Sequence, residues 1–341
     1  MSLYKYILKR ILLTIPTLIA ILIITFFITR ALPGDPVAYR LPLFRTPYED
    51  ILAERARLGL DKPVIVQFFI FVNDMLTGNW GDSFSVLPDT PVWDIILERL
   101  PRTLEFMFYS MIIAIFVGTR LGRTAGANQN KGKDVVSRIF TYFLVSAPAF
   151  VLVIFLIQIS ILSPIKIFPT YGYKSTTYPL PPTITHIYLF DCIISGQWYL
   201  ASDYLWHLIV PLSAVTLVQL VVIVRQMRSG IIDTLNYDYI NTARVKGCSE
   251  KDVIKKHAYK NALIPAIMVA SMGFPVVLGG MIAVEEIYQL VGMGALFYDA
   301  VNVSDYPIII ASIYIFALIV VIVNLLADIL IAIIDPRIRL N

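Results

Sequence analysis

The 341-residue sequence contains few charged residues for its length. Only 15% of the residues are charged and 57% are hydrophobic, whereas about 25% are charged in an ordinary soluble domain. One globular core cannot bury that much apolar surface, so the composition predicts a membrane protein. The net charge of +4 is small, and nothing in it indicates nucleic-acid binding.

Cysteine and histidine are also scarce, with two and three copies. Cys192 and Cys248 fall in connections that we predict to lie on opposite sides of the membrane, which excludes a disulfide between them. His186, His207 and His257 are scattered in the same way and indicate no metal-ligand cluster. We therefore expect this chain to bind no metal and no cofactor.

Six apolar stretches are long enough to cross a bilayer, which takes about 20 residues each. The first stretch lacks the small-residue cleavage site of a signal peptide, so we expect it to be retained as an anchor. The six stretches are 11–29, 103–119, 139–162, 205–224, 262–284 and 308–327.

The positive charges indicate the orientation of these stretches. Lys5, Lys9 and Arg10 precede the first one, and the connections at 120–138 and 225–261 are rich in lysine and arginine. The connection between the fifth and sixth stretches has acidic residues and no lysine or arginine. By the positive-inside rule, the sequence predicts an all-α polytopic protein of the cell membrane with six transmembrane helices and both termini cytoplasmic.

The longest connection lies between the first two stretches and predicts a small extracytoplasmic subdomain. Its apolar segment 64–76 is too short to cross a membrane. A short elbow helix at 92–99 is expected to end before Pro101 and to lie along the membrane surface. The outside loop 163–204 is rich in proline and tyrosine, and its length has no explanation in the sequence. The predicted parts are the anchor span 1–30, the subdomain with its elbow helix 31–102, and a core of five spans 103–341.

The second basic connection contains a helix–glycine–helix pattern. Residues 238–246 read as a helix, and Gly247 can adopt the left-handed conformation that ends one. Ser249 followed by Asp252 predicts the cap of a second helix, which continues into the fifth span. We call residues 238–261 the glycine corner; a push on this stiff unit should move the span. The alternative is a basic loop that serves only topology, but such a loop does not need two helices around a glycine.

The glycine corner resembles the EAA loop of ABC importer permeases, in its dipeptide and oligopeptide permease form. The generic Glu-Ala-Ala positions hold Asn241, Thr242 and Ala243, so two of the three are replaced. The subfamily pattern is matched more fully, through Asn261 and the Ala-Leu-Ile-Pro that follows it. The resemblance assigns ATPase coupling to Asp238, Tyr239, Ala243, Arg244, Lys246, Gly247, His257 and Asn261.

Further motifs extend the resemblance over nearly the whole chain. Singly most of them are turns and helix ends, but together they are specific. They lie at 32–36, 58–61, 78–83, 98–105, 146–150, 169–173, 305–307 and 335–337.

The resemblance implies the type I ABC importer fold and a set of partners. These are a second, related permease subunit, two cytosolic ATPase subunits that bind ATP and Mg, and an extracytoplasmic substrate-binding protein. Residues 238–246 would be the coupling helix that docks on one ATPase, and residues 103–341 would be the permease core. This chain has no nucleotide site of its own, because Gly132-Lys133 is followed by Asp134 and position 127 is alanine, so no P-loop forms.

The implied cargo is di- or oligopeptides, with oligosaccharides or nickel as alternatives. Pathway or gate candidates are Ser146, Pro148 and Glu105; for Glu105 we favour a solvated or capping role near the outer mouth. Asn324 and Asp328 are expected to anchor the last span to a neighbouring helix. A stand-alone secondary transporter, which typically has charges deep in its spans and inverted repeats, is a second class. A non-transporting scaffold is a third.

Overall fold

The computed structural model describes residues 3–31, 37, 46–57, 59–163 and 168–334. The motifs at 32–36 and 335–337 lie outside these residues. Within the described ranges the chain is helical and forms no strand, apart from one isolated bridge between Asp82 and Pro91. The helices are α1 Leu3–Ala31, α2 Tyr48–Arg57, α3 Val64–Thr77, α4 Val92–Ala127, α5 Gly132–Val145, α6 Ala149–Leu162, α7 Tyr188–Ile194, α8 Trp198–Leu235, α9 Asp238–Val245, α10 Glu250–Asp252, α11 Tyr259–Met272, α12 Phe274–Tyr288, α13 Met293–Asn302 and α14 Tyr306–Ile334, with a π-helical turn Val253–Ala258 between α10 and α11.

Four helices are long and apolar enough to cross a membrane: α1, α4, α8 and α14. Two further candidates are bent pairs, α5 with α6 and the α10–α11 segment with α12. Counting each pair as one crossing gives up to six among the described residues. The all-helical, polytopic class predicted from the sequence is confirmed.

The separate elbow helix at 92–99 is a wrong prediction, because α4 continues through Pro101. Proline removes one backbone hydrogen bond and crowds the preceding turn, which often ends a helix. Here Ile95 and Ile96 before the proline and Phe106 after it are all buried against the rest of the protein. Packing on both sides keeps the helix continuous across the missing bond.

The third and fifth predicted spans are bent, whereas the sequence predicts one continuous apolar helix for each. The α5–α6 pair turns by 100° at residues 146–148. Pro148 is the first residue outside α6 and restricts Ala147 to a non-helical conformation. The fifth span bends by 47° at Gly273. Helix α12 begins at the next residue, and Pro275 is its second residue.

Helix α8 is the centre of the bundle, with 67% of its most apolar stretch buried. It crosses α4 at small residues spaced four apart. Gly118, Gly122 and Gly126 face it so closely that a Cβ on Gly122 would lie 2.6 Å from the Cβ of Met227. Such small residues let two helix backbones approach in a membrane protein.

Helix α8 also packs against α11, the helix into which the glycine corner continues. Gly230 of α8 faces Ala262, and a Cβ added to Gly230 would lie 3.0 Å from the Cβ of Ala262. Ala258, Ala262 and Ala266 pack with Met227 in one buried cluster. The corner is therefore joined to the centre of the bundle through small, closely packed side chains.

The last helix is tied to the first near one end. Arg10 Nη1 of α1 lies 2.9 Å from Asp328 Oδ2 of α14. The prediction that Asp328 anchors this end to a neighbouring helix is confirmed.

Candidate functional site

The first limb of the glycine corner is α9, which follows α8 after a two-residue break. Asp238 lies in its first turn, where the positive end of the helix dipole stabilises a carboxylate. The helix ends at Val245, and Gly247 has φ +82°, the left-handed conformation expected from the sequence. The Cys248 amide donates to Ala243 O at 3.1 Å and closes the helix end.

The second limb starts at the cap that the sequence predicts. The Asp252 amide donates to Ser249 Oγ at 3.2 Å, and Ser249 Oγ donates to Asp252 Oδ2 at 2.8 Å. The hydrogen bond from Ser249 lowers the pKa of Asp252 and keeps it charged. Lys256 Nζ lies 3.0 Å from the same carboxylate, so the first turn of this limb is held by its own side chains.

A small apolar cluster fills the inside of the corner. Ile240 and Ala243 of the first limb pack on Val253 of the second, with Leu235 of α8 beside them. Ala243 is only 8% exposed. The structure thus places this predicted coupling residue between the two limbs.

Two polar links close the corner further. Arg244 binds both carboxylate oxygens of Glu250, at 3.1 Å from Nε and 2.9 Å from Nη2, and this lowers the pKa of Glu250. Asn261 Nδ2 donates to Tyr239 Oη at 2.6 Å and to the carbonyl of His257 at 3.2 Å. Three of the predicted site residues, Tyr239, Arg244 and Asn261, therefore join the limbs to each other, and the His257 carbonyl holds the Asn261 amide within the second limb.

The outer surface of the corner is partly apolar. Val245 is 88% exposed, and the exposed rings of Tyr237 and Tyr239 stack with centroids 6.0 Å apart. Lys246 and Gly247 complete the exposed tip. An exposed surface with aromatic, aliphatic and cationic groups is suited to docking on another protein.

The three gate candidates lie in two different places. Ser146 and Pro148 are exposed at the α5–α6 bend. Glu105 is buried, so the expected solvated role is wrong. The carboxylate does act as a cap, because the Leu189 amide in the first turn of α7 donates to Glu105 Oε1 at 3.3 Å. The carboxylate also accepts from Tyr109 Oη at 2.7 Å and Tyr204 Oη at 3.0 Å, because α7 and α8 fold over it.

Sequence reasoning missed a buried ion pair between α5 and α8. Asp134 is fully buried and binds the Arg228 guanidinium through both oxygens, with Nη2 2.8 Å from Oδ2. The signal was a single acidic residue in a basic connection. Among the described residues, no group of three or more His, Cys, Asp or Glu side chains is placed to hold a metal ion.

The helices and the corner define a multi-pass membrane protein in which the glycine corner connects two helices of the bundle, α8 and α11. Residues 110–340 match the family of binding-protein-dependent transport system inner membrane components. Residues 3–107 match the N-terminal part of such membrane components. The chain belongs to this family of inner-membrane transport subunits.

Named relatives align along the full length of the chain. A dipeptide transport system permease from Alkalihalophilus pseudofirmus is 36% identical over 98% of this chain and 99% of its own length. An oligopeptide permease from Bacillus subtilis is 35% identical with the same coverage, and a glutathione permease from Salmonella choleraesuis is 34% identical, again with the same coverage. The resemblance to the peptide permease family is confirmed, and this decides against a stand-alone transporter or a scaffold.

Proposed function

We propose that this chain forms half of the translocation pathway of an ABC importer for di- or oligopeptides. Its partners would be a second, related permease subunit, two ATPase subunits and an extracytoplasmic substrate-binding protein. The names of the relatives support peptides over oligosaccharides or nickel. Identification by mass spectrometry of the ligand that copurifies with the cognate binding protein tests the cargo; an oligosaccharide or a nickel ion there would contradict it.

The proposed topology has six crossings with both termini cytoplasmic. Counting each bent pair as one crossing supports the number, and the lysines and arginines near the corner support a cytoplasmic position for it. The proposed parts are the anchor 1–30, the extracytoplasmic subdomain 31–102 and the permease core 103–341. The first core span then starts inside the second part, because α4 begins at Val92.

We propose that the glycine corner receives the force generated by ATP. The observation that carries this proposal is the closed geometry of the corner. Arg244–Glu250 and Tyr239–Asn261 join the first limb, which follows α8 after two residues, to the second limb, which continues into α11. A push on Tyr237 or Val245 would then move both limbs as one body. ATP and Mg would be bound by the partner ATPases; their approach on binding ATP would open the pathway outward, and hydrolysis would return it inward.

The pathway itself is proposed to respond at the helix bends. The second limb reaches the bend at Gly273 through α11, so its displacement changes the angle between α11 and α12. Ser146 and Pro148 at the α5–α6 bend are the proposed gate positions. Glu105 would influence the gate through the packing of α4 on α8.

Substitution of Gly247 by valine tests the coupling role. Valine strains the left-handed conformation at φ +82°, although no atom lies within 4 Å of the added Cβ. In the reconstituted complex, we expect assembly to persist and the stimulation of ATP hydrolysis by loaded binding protein to be lost. The control is Gly196→Val, which strains an equally open glycine at φ +72° between α7 and α8. Unchanged stimulation in Gly247→Val, or equal loss in both variants, would contradict the proposal.

A further inference from the structure

A groove of about 820 Å³ opens between α4, the second limb of the glycine corner and the end of α14. Four cationic side chains line it, and no carboxylate stands among its described lining residues. Two of the cations belong to α4 and two to the second limb. The cations are Arg120, Arg123, Lys255 and Lys260.

The groove is divided into a basic part and an apolar part. Arg120 directly follows the apolar stretch 103–119, and Lys260 shortly precedes the stretch 262–284. The side chains on the membrane side of this level are hydrocarbon. They are Ile112, Ile115, Phe116, Leu263 and Ile267. The cations therefore lie at the boundary of the hydrocarbon region and the apolar wall lies inside it.

Aromatic rings hold the two guanidinium groups in place. The Arg120 guanidinium lies over the Phe116 ring, 3.2 Å from its centroid, and that of Arg123 lies 5.3 Å from the centroid of Tyr259. Tyr259 Oη in turn donates to Thr119 Oγ1 at 3.4 Å. These contacts hold the arginines on one wall, where Arg120 Nη1 also donates to the Phe116 carbonyl at 3.3 Å. The remaining N–H groups of the four cations can donate to a ligand.

We propose that this groove binds an anionic phospholipid of the surrounding leaflet. The phosphate would lie between the α4 arginines and Lys255 and Lys260, and an acyl chain would follow Ile112 and Phe116. Charge-assisted hydrogen bonds favour a phosphate at this position, and basic pockets between membrane helices select anionic headgroups. A soluble anion would gain no binding energy from the apolar wall. The bound lipid would tie α4 to the second limb of the corner.

Lipid binding to the purified importer complex in neutral detergent tests this site. Native mass spectrometry with phosphatidylglycerol and with phosphatidylcholine of the same acyl chains gives the two affinities, and we expect a clear preference for phosphatidylglycerol. Each basic side chain at an anionic lipid surface contributes a factor of about five, so Lys255→Gln/Lys260→Gln should weaken binding about 25-fold. The matched control is Lys131→Gln/Lys133→Gln, which makes the same charge change on exposed residues outside the groove.

Three results would overturn the proposal. Equal affinity for the two lipids would exclude selection by the four cations. Equal weakening in the Lys131/Lys133 variant would assign binding to diffuse charge instead of the groove. Glycerol phosphate competing as well as the whole lipid would assign the site to a soluble anion, because the apolar wall would then contribute nothing. Thermal unfolding of both double variants in phosphatidylcholine verifies that they fold.

Discussion

Glu285 is a buried carboxylate that serves as the cap of a helix from which it is separated in sequence. Its Oε2 accepts from the amides of Gly294 at 2.7 Å and Ala295 at 3.1 Å, in the first turn of α13. Thr103 donates to its Oε1 at 2.7 Å and accepts from the Met293 amide at 2.8 Å. One carboxylate therefore connects α12, α13 and α4.

Replacement of Glu285 by alanine should destabilise the protein. The change leaves amides in the first turn of α13 without an acceptor in a buried position, which costs about 1–3 kcal/mol of the free energy of unfolding. We expect thermal unfolding in detergent to shift down by several degrees. Glu286→Ala is the control, since that neighbouring side chain is partly exposed and should change the midpoint little. Equal shifts in the two variants would show that the Glu285 carboxylate does not stabilise α13 as a cap.

At the scale of elements, the α4–α8 crossing depends on glycine as a spacer. A Cβ on Gly122 would lie 2.7 Å from the Val224 carbonyl oxygen, and one on Gly126 would lie 2.8 Å from that of Arg228. Backbone atoms cannot move away as the end of a flexible side chain can. This helix crossing therefore tolerates no side chain at these positions.

Gly122→Ala should separate α4 from α8 and lower the unfolding temperature. The matched substitution is Gly279→Ala, at a helical glycine with no atom within 4 Å of the added Cβ. Alanine gains helix propensity of about 1 kcal/mol at both sites. We expect stabilisation or no change at Gly279 and clear destabilisation at Gly122. A stabilised Gly122→Ala would show that the crossing is not close-packed.

Local signals in the sequence predicted the glycine corner well. Gly247 adopts its left-handed conformation by its residue type, and Ser249 caps an amide only three residues further on. Both roles therefore follow from residue type and spacing. The contact between Tyr239 and Asn261 joins residues that are distant along the chain, and no local pattern predicts it. The assignment of the corner to ATPase coupling stays a prediction.

The helix breaks were predicted less well, because each depends on packing. Pro101 lies inside a helix that buried neighbours keep intact, whereas Pro148 lies at a bend of 100°. The two prolines cannot be distinguished by residue type alone. The burial of Glu105 was not predicted for the same reason, since the tyrosine from α8 that covers it lies 99 positions away in sequence.

At the scale of the whole molecule, one buried side chain attaches the segment 83–90 to the last helix. We call these residues the outer segment, because the proposed topology places them outside. Asp305 precedes α14 and is fully buried. Its Oδ2 accepts from Ser83 Oγ at 2.6 Å and from the amides of Ser85 at 2.9 Å and Val86 at 3.0 Å. The structure thus brings together two motifs that the sequence resemblance noted separately, at 78–83 and 305–307.

Asp305→Ala should release this outer segment and leave the glycine corner unchanged. Three donors lose their acceptor, so the amides of Ser85 and Val86 should exchange with solvent faster. Hydrogen exchange measured by mass spectrometry on the purified complex compares peptides from 83–90 with peptides from 238–250. The control is Asp299→Ala, which removes an exposed carboxylate of α13 and should alter neither region. The corner packs on α8 and α11, away from these contacts, so faster exchange there would mean that the outer segment and the corner are energetically coupled through the bundle.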